Sequence, residues 1–154
     1  MSTVNRGTLR KQVAAGMMFV CESRNYDEMT GQTSSNEIAV CKIREENGQH
    51  IEGVYQFRES DFKSKAGCAY NDADKITLII DSNSSYQFIS AENLGRRLGA
   101  KAFAAGIVSA PALDAEVAKV IKMIPNNTKA ILALLTGWSK AWHEANIAAP
   151  VGAA

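Results

Sequence analysis

Residues 85–103, SYQFISAENLGRRLGAKAF, change their periodicity in the middle of the stretch and thereby divide the chain. In the first five residues, aromatic side chains alternate with polar ones, which is typical of a β-strand. After them, small and aliphatic residues recur at three- and four-residue steps, which predicts a helix over 90–106 with Ser90 as its N-cap. The sequence therefore predicts a β-rich lobe over 1–89 and a helical lobe over 90–154.

Upstream of this junction, the chain predicts a leading helix and a mostly antiparallel sheet. The helix covers 3–16 and ends at Gly16, because glycine is the residue that most often terminates helices. Alternating or continuous apolar residues predict the strands that follow it. These predicted strands cover 17–23, 37–43, 50–57, 75–81 and 85–89.

The segments between these strands carry turn and loop signals. The polar stretch 24–36 is typical of a long exposed hairpin loop. Asn47 and Gly48 form a turn signal between two strands that we expect to be antiparallel. Residues 58–74 have no clear periodicity, although Ser60 could cap a single helical turn.

Downstream of the junction, two further helices follow the first. Pro111 ends the preceding helix, because the residue before a proline is disfavoured in helical conformation. Asp114 is the predicted N-cap of a helix over 114–124, and the last helix covers about 128–146. The predicted fold class is α+β: an N-terminal antiparallel β-sheet with a leading helix, followed by a C-terminal bundle of about three helices.

Composition excludes several classes of protein. The chain has 154 residues, 46% of them hydrophobic and 21% charged, so it can bury a core without a disulfide or metal. A formal net charge of +1 gives no strong field for steering nucleic acid or membrane. No apolar run approaches the roughly 20 residues of a membrane span, and we expect no membrane partner.

The three cysteines indicate a reducing compartment. None of them has CxxC spacing, and no secretory signal precedes them, so we expect a cytoplasmic protein. Cys21 and Cys41 are expected on neighbouring strands as buried small hydrophobic residues. Cys68 lies near Lys63 and Lys65, which could lower its thiol pKa, and it is a weak candidate nucleophile.

The stretch WSKAWHEAN, residues 138–146, contains both tryptophans of the chain. On a helix, Trp138 and Trp142 lie one turn apart on the same face, which favours packing against another helix. A partly exposed aromatic anchor at a protein interface is the alternative, and both hold if one ring is central and the other peripheral. His143 points about 100° away and should reach solvent.

A basic cluster lies on the first helix of the helical lobe. Arg97 and Lys101 share a face opposite the apolar stripe, and Arg96 lies to one side. Three interpretations stay open: an ordinary solvated face, a set of phosphate contacts, or a surface that docks on an acidic protein.

Signatures of catalysis and metal binding are missing from the sequence. It contains no GxSxG, GxxxxGK[ST] or GxGxxG motif. His50 and His143 lack zinc-ligand spacing, and the aspartates of 71–75 lack the later ligands of a calcium loop. We therefore predict no catalytic residue, no metal and no cofactor.

Two short motifs resemble a known family. The segments GAKAFAAGIVSAP (99–111) and WSKAWHEAN resemble the GxxAFxxG…P and WxxGWxxA pattern of ribosome modulation factor and related small phage- and plasmid-encoded proteins, with Ala141 in place of the pattern's glycine. The resemblance implies two closely packed helices with aromatic residues filling the seam between them. The matching positions are Gly99, Ala102, Phe103, Gly106, Pro111, Trp138, Trp142 and Ala145.

These features lead to one functional expectation and two alternatives. We expect a non-enzymatic, phage- or mobile-element-encoded protein that binds and inhibits a host protein or ribonucleoprotein complex, for example an anti-CRISPR factor. The first alternative is a regulator that binds nucleic acid or the ribosome through the basic helical lobe, and the second is a small enzyme using Cys68 or His143. The 24–36 loop or an edge strand could add to the interface. The predicted partner-binding residues are Arg96, Arg97, Lys101, Trp138, Trp142 and His143.

Overall fold

The computed structural model describes residues 2–27, 29–34, 38–49, 53–63, 68–80 and 83–149. The chain forms two compact units, Met1–Ser90 and Ala91–Ala154, called here the β-rich unit and the helical unit. The last strand of the first unit ends at Ser90, and the first helix of the second begins at Ala91.

The described part of the β-rich unit contains eight strands and two helices. The helices are α1 (Arg6–Ala14) and α2 (Glu59–Lys63). The strands are β1 (Ser2–Thr3), β2 (Met18–Asp27), β3 (Gln32–Ser34), β4 (Ala39–Ile43), β5 (Val54–Phe57), β6 (Cys68–Asp72), β7 (Lys75–Ile79) and β8 (Ser84–Ser90).

These strands form one mixed sheet, and with the helices they confirm the α+β fold class. Its order is β1-β6-β7-β8-β2-β4-β5, with β3 paired to β2. Every described pairing is antiparallel except β4 with β5, which run parallel with Ile43 opposite Phe57. The predicted antiparallel connection through Asn47-Gly48 is therefore wrong, although Asn47 does lie in a turn at φ 71°. A turn signal predicts a local reversal of the chain, but it does not determine the direction of the next strand.

The predicted 24–36 loop is also corrected. Strand β2 continues to Asp27 and pairs with β3, so Asn25, Tyr26 and Asp27 face Ser34, Thr33 and Gln32. Backbone pairing in a hairpin does not need apolar side chains, so the polar composition of 24–36 wrongly indicated a loop. Glu28 and residues 35–37 lie outside the described residues. Strand β6 was missed within the stretch 58–74 because that stretch shows no clear periodicity, and the predicted single helical turn there corresponds to α2.

The leading helix α1 is confirmed, and its ends follow from its sequence. Asn5 caps the start by accepting hydrogen bonds from the N–H groups of Gly7 and Thr8. Gly16 adopts φ 71° after the helix, and the N–H of Met17 bonds back to the carbonyl of Gln12. This left-handed termination suits glycine, which has no Cβ to clash.

The core of the β-rich unit lies between the helices and one face of the sheet. Leu9 and Val13 of α1 and Phe62 of α2 are buried in one cluster with residues from β2, β4 and β5–β8. Phe57 is at its aromatic centre, with ring centroids 4.9 Å from Tyr86 and 5.2 Å from Phe88. Edge-to-face and tilted contacts at these distances add to the burial of apolar area.

Residues 91–149, the described part of the helical unit, form three helices and one 3-10 turn. Asp114 caps α4 through its side chain, as predicted, and Asn127 caps α5 in the same way. None of the described helices combines the length and the apolarity that a membrane span requires. The elements are α3 (Ala91–Ala104), the 3-10 turn Pro111–Leu113, α4 (Ala115–Met123) and α5 (Thr128–Ala148).

Candidate interaction surface of the helical unit

Helices α3 and α5 pack with their backbones in direct contact. A Cβ atom added to Gly95 would lie 2.0 Å from the carbonyl oxygen of Leu134, and one added to Gly99 would lie 2.2 Å from that of Trp138. On α5, a Cβ at Gly137 would lie 2.0 Å from the carbonyl oxygen of Glu92. Since real Cβ atoms do not approach this closely, the contact requires glycine at all three positions.

The two helices run in the same direction. Gly95 contacts Leu134, Gly99 contacts Trp138, and Phe103 contacts Trp142. The residue numbers of the contacting pairs therefore increase in the same direction along both helices. The chain between them, including α4, returns to the start of the pair. Their C-terminal ends therefore lie side by side, and this brings together residues that are far apart in the sequence.

Trp138 is a core residue. Its side chain is 0% exposed, and its indole N–H donates a hydrogen bond of 2.9 Å to Oδ2 of Asp114. The other carboxylate oxygen, Oδ1, accepts a bond of 3.0 Å from the backbone N–H of Glu116. Buried polar groups need hydrogen-bond partners, and Asp114 provides one for the indole N–H of Trp138 while it also caps α4. A partner of the folded protein cannot touch the Trp138 ring.

Trp142 lies one turn further along and is only partly buried. Its ring makes an edge-to-face contact with Phe103 at a centroid distance of 5.5 Å. Its indole N–H donates a 2.8 Å bond to the carbonyl oxygen of Ile107. Both interactions hold the ring in place, so its open part presents a preoriented apolar surface with no unmet donor.

His143 is exposed beside this ring, and Ser109 is its hydrogen-bond partner. Nε2 of His143 and Oγ of Ser109 are 3.2 Å apart, and the donor depends on the imidazole tautomer. Sequence patterns did not indicate Ser109, because 34 positions separate it from His143. Among the described residues, no carboxylate contacts the imidazole, and Glu144 pairs instead with Arg96. A serine–histidine pair without an orienting acid lacks the triad arrangement of a hydrolase.

We define the Trp142 surface as the exposed and half-exposed side chains at this end of the helix pair. Val108 is 60% exposed next to Ile107, and Ile147 is 83% exposed one helical turn beyond His143. Apolar side chains with a polar rim are typical of protein interaction sites. The surface comprises Phe103, Ile107, Val108, Ser109, Trp142, His143 and Ile147.

The predicted basic cluster is partly paired within the helical unit. Nη1 of Arg96 lies 3.2 Å from Oε2 of Glu144, and Nζ of Lys101 lies 3.9 Å from Oε1 of Glu116. Arg97 is exposed on the same helix. Exposed ion pairs of this kind contribute only about 0–1 kcal/mol to stability. They do, however, place negative charge next to two of the three cations and so weaken their attraction for phosphate.

Of the cysteine and histidine candidates, the structure describes the side chains of Cys21, Cys41 and His143. Cys21 and Cys41 lie on the adjacent strands β2 and β4, as predicted. Cys41 is buried, and this burial raises the pKa of its thiol well above the ordinary value. His50 and the Cys68 side chain lie outside the described residues. Among the described residues, no three His, Cys, Asp or Glu side chains are close enough to hold a metal ion.

No protein-family model, curated protein or solved structure matches the chain. The similarity to ribosome modulation factor therefore stays a prediction from two short motifs.

Proposed function

We propose that this protein is a non-enzymatic binding protein, encoded by a phage or mobile element, that inhibits a host protein complex such as a CRISPR–Cas effector. The observation that carries the proposal is the Trp142 surface. A tryptophan held by Phe103 and Ile107 needs little further ordering on binding, so a partner gains apolar contact at a low entropic cost. Tryptophan is also among the residues that most often dominate binding energy at interfaces.

The charges around this surface favour a protein partner over nucleic acid. Nucleic-acid affinity depends on free Lys and Arg side chains that displace condensed counterions. Arg96 and Lys101 each already face a glutamate, and the whole chain carries a formal net charge of only +1. The alternative of a ribosome- or RNA-binding regulator is therefore weaker, and the salt dependence of binding tests it.

The test uses the full chain in a bacterium whose CRISPR–Cas system restricts a phage. We expect expression of the protein to restore plaque formation and to yield a stoichiometric complex with the effector on purification. Val108→Asp and Ile147→Asp place a charge on the Trp142 surface at exposed positions, and we expect both to abolish inhibition and complex formation. Neither side chain is buried, so the fold should be retained.

Leu132→Asp is the matched control, because Leu132 is 59% exposed on α5 ten residues before Trp142. We expect it to inhibit and to bind like the wild type. Loss of binding in all three variants alike would contradict a specific role of the Trp142 surface. Binding of RNA that weakens steeply with salt and disappears in an Arg96/Arg97/Lys101 triple alanine variant would favour the alternative. Full phage restriction with no complex would contradict the anti-CRISPR assignment.

A further inference from the structure

A second candidate site lies in the β-rich unit, where the parallel strands β4 and β5 end together. Ile43 and Phe57 are register partners, and Arg44 and Arg58 directly follow them. The N–H of Arg44 donates a 2.8 Å hydrogen bond to the carbonyl oxygen of Phe57, which extends the pairing to the arginine. Adjacent strands are about 4.8 Å apart, so two guanidinium-bearing residues begin side by side.

The two arginines border one surface depression of about 420 Å³. Both side chains are exposed, and none of the described residues provides their guanidinium groups with a hydrogen-bond or ion-pair partner. Like charges placed together in a sheet are unfavourable unless something neutralises them. The depression is lined by Arg44, Glu45, Glu46, Asn47, Arg58 and Glu59.

Among the described residues, none of the three glutamates that line the depression forms an ion pair with these arginines. Glu59 contacts Arg10 of α1, and its Oε1 also lies 3.7 Å from Nζ of Lys63. Glu45 and Glu46 directly follow Arg44 and also line the depression, in the turn closed by the bond from the Gly48 N–H to the Glu45 carbonyl oxygen at 2.9 Å. Carboxylates accept hydrogen bonds and donate none, so these two suit the hydroxyl groups of a ligand.

We propose that this depression binds a small phosphate monoester that carries hydroxyl groups, in the chemical class of sugar phosphates. Arg44 and Arg58 hold the phosphate, because the planar guanidinium donates paired hydrogen bonds to phosphate oxygens. Glu45 and Glu46 accept hydrogen bonds from the ligand's hydroxyl groups. The site is separate from the Trp142 surface and does not depend on the proposed function.

Amide chemical shifts of the full-length protein test the proposal, with ribose 5-phosphate, inorganic phosphate and ribose as probes. We expect ribose 5-phosphate to produce saturable shifts at Arg44, Asn47 and Arg58. Arg44→Gln and Arg58→Gln should each weaken its affinity by about tenfold, as expected for loss of a charge-assisted hydrogen bond. Arg58→Lys should also weaken it, because lysine keeps the charge but not the paired geometry.

Lys11→Gln is the control, because it removes one positive charge from an exposed position of α1. We expect its affinity to match the wild type. Glu45→Gln and Glu46→Gln should weaken binding of ribose 5-phosphate but not of inorganic phosphate. The proposal is overturned by an absence of saturable shifts, by arginine variants that bind like Lys11→Gln, or by equal affinity for ribose 5-phosphate and inorganic phosphate. Because all these positions are exposed, unchanged circular dichroism should accompany every variant.

Discussion

At the scale of single residues, Asp114 links two elements of the helical unit through its two carboxylate oxygens. One oxygen caps α4 at the N–H of Glu116, and the other accepts from the buried indole of Trp138. The residue is only 4% exposed, so water cannot replace either bond. The sequence predicted its role as a cap, but the bond to Trp138 spans 24 positions and had no local signal.

We expect Asp114→Ala to lower the free energy of unfolding by about 2–4 kcal/mol, since it removes a helix cap and leaves a buried N–H without an acceptor. Asp114→Asn should have a smaller effect, because the amide oxygen still accepts one of the two hydrogen bonds. The other bond is lost, since the amide NH₂ group then faces an N–H donor. Asn127→Ala removes the cap of α5 but no bond to a buried indole, and it should cost about 1 kcal/mol. Urea unfolding measures all three, and equal losses in Asp114→Ala and Asn127→Ala would contradict the buried bond.

Cys41 makes stability depend on alkaline pH. Burial raises the pKa of its thiol, the hydrogen bond with the Val20 backbone lowers it, and the nearby Cys21 raises it, with burial the largest effect. In the unfolded chain the thiol ionises above about pH 8.5, whereas in the folded protein it stays protonated. The unfolded state then binds fewer protons, so the free energy of unfolding falls as pH rises through this range.

We expect this group alone to remove up to about 1.4 kcal/mol of stability per pH unit above its unfolded pKa. Cys41→Ala should be less stable at pH 7, because it leaves a small cavity, but should lose less stability between pH 8 and 10. Cys21→Ala removes only the smallest of the three effects on the pKa of Cys41 and leaves its burial in place, so its slope should stay closer to that of the wild type than the slope of Cys41→Ala. Urea unfolding at several pH values measures the slopes, and identical slopes in wild type and Cys41→Ala would refute the prediction.

At the scale of elements, the contact between α3 and α5 depends on glycine. Glycine normally weakens a helix by about 1 kcal/mol relative to alanine, so Gly95, Gly99 and Gly137 lower the intrinsic stability of both helices. This loss of helix stability is offset because the glycines let the two backbones approach closely, and Trp138 and Leu134 are then completely buried. In α3, Glu92 pairs with Lys140 and Arg96 with Glu144, so a slip of one turn would place Arg96 opposite Lys140. These charges therefore disfavour the shifted register.

We expect Gly99→Ala to destabilise the helical unit by about 1–3 kcal/mol despite the better helix propensity of alanine. The new methyl group would lie 2.2 Å from the Trp138 carbonyl oxygen, so the two helices must separate along the seam. Ala100→Leu adds a larger group at the next position, which is exposed, and should change stability by less than about 0.5 kcal/mol. Tryptophan fluorescence during urea unfolding measures both, and a stabilised Gly99→Ala variant would contradict the packing.

The sequence predicted the elements whose periodicity is strong and missed two short strands. The helices α3–α5 have an apolar stripe against one neighbour, so their spacing was sufficient. Strand β3 is polar, and β6 has no alternation of apolar and polar residues, so their pairing partners and not their own composition make them strands. The parallel pairing of β4 and β5 could not be predicted, because strand direction depends on long-range contacts.

At the scale of the whole molecule, the candidate site was only partly visible in the sequence. The tryptophans and the basic residues of α3 stood out by type and spacing. The structure shows that Trp138 is fully buried and that Trp142 is not. It also shows that Arg96 and Lys101 of the basic cluster form ion pairs with Glu144 and Glu116. Val108 and Ser109 joined the site only because α3 and α5 run parallel and end together, which local sequence signals do not specify.

Net charge is a further property of the whole molecule, and its consequence can be tested. The formal net charge is +1 at pH 7 and the sequence pI is about 7.7, so self-repulsion is weakest slightly above neutral pH. We therefore expect the osmotic second virial coefficient to be lowest near pH 7.7 at low salt.

Lys122→Glu changes the formal net charge from +1 to −1, because it replaces one positive charge with one negative charge. Lys122 is exposed, so the fold should be retained, and the minimum of the virial coefficient should move below pH 7. Lys122→Arg keeps the charge and should leave the minimum in place. Static light scattering across pH 5–9 measures these values. A minimum that stays fixed in Lys122→Glu but disappears in Val108→Asp would show that self-association is governed by the Trp142 surface and not by net charge.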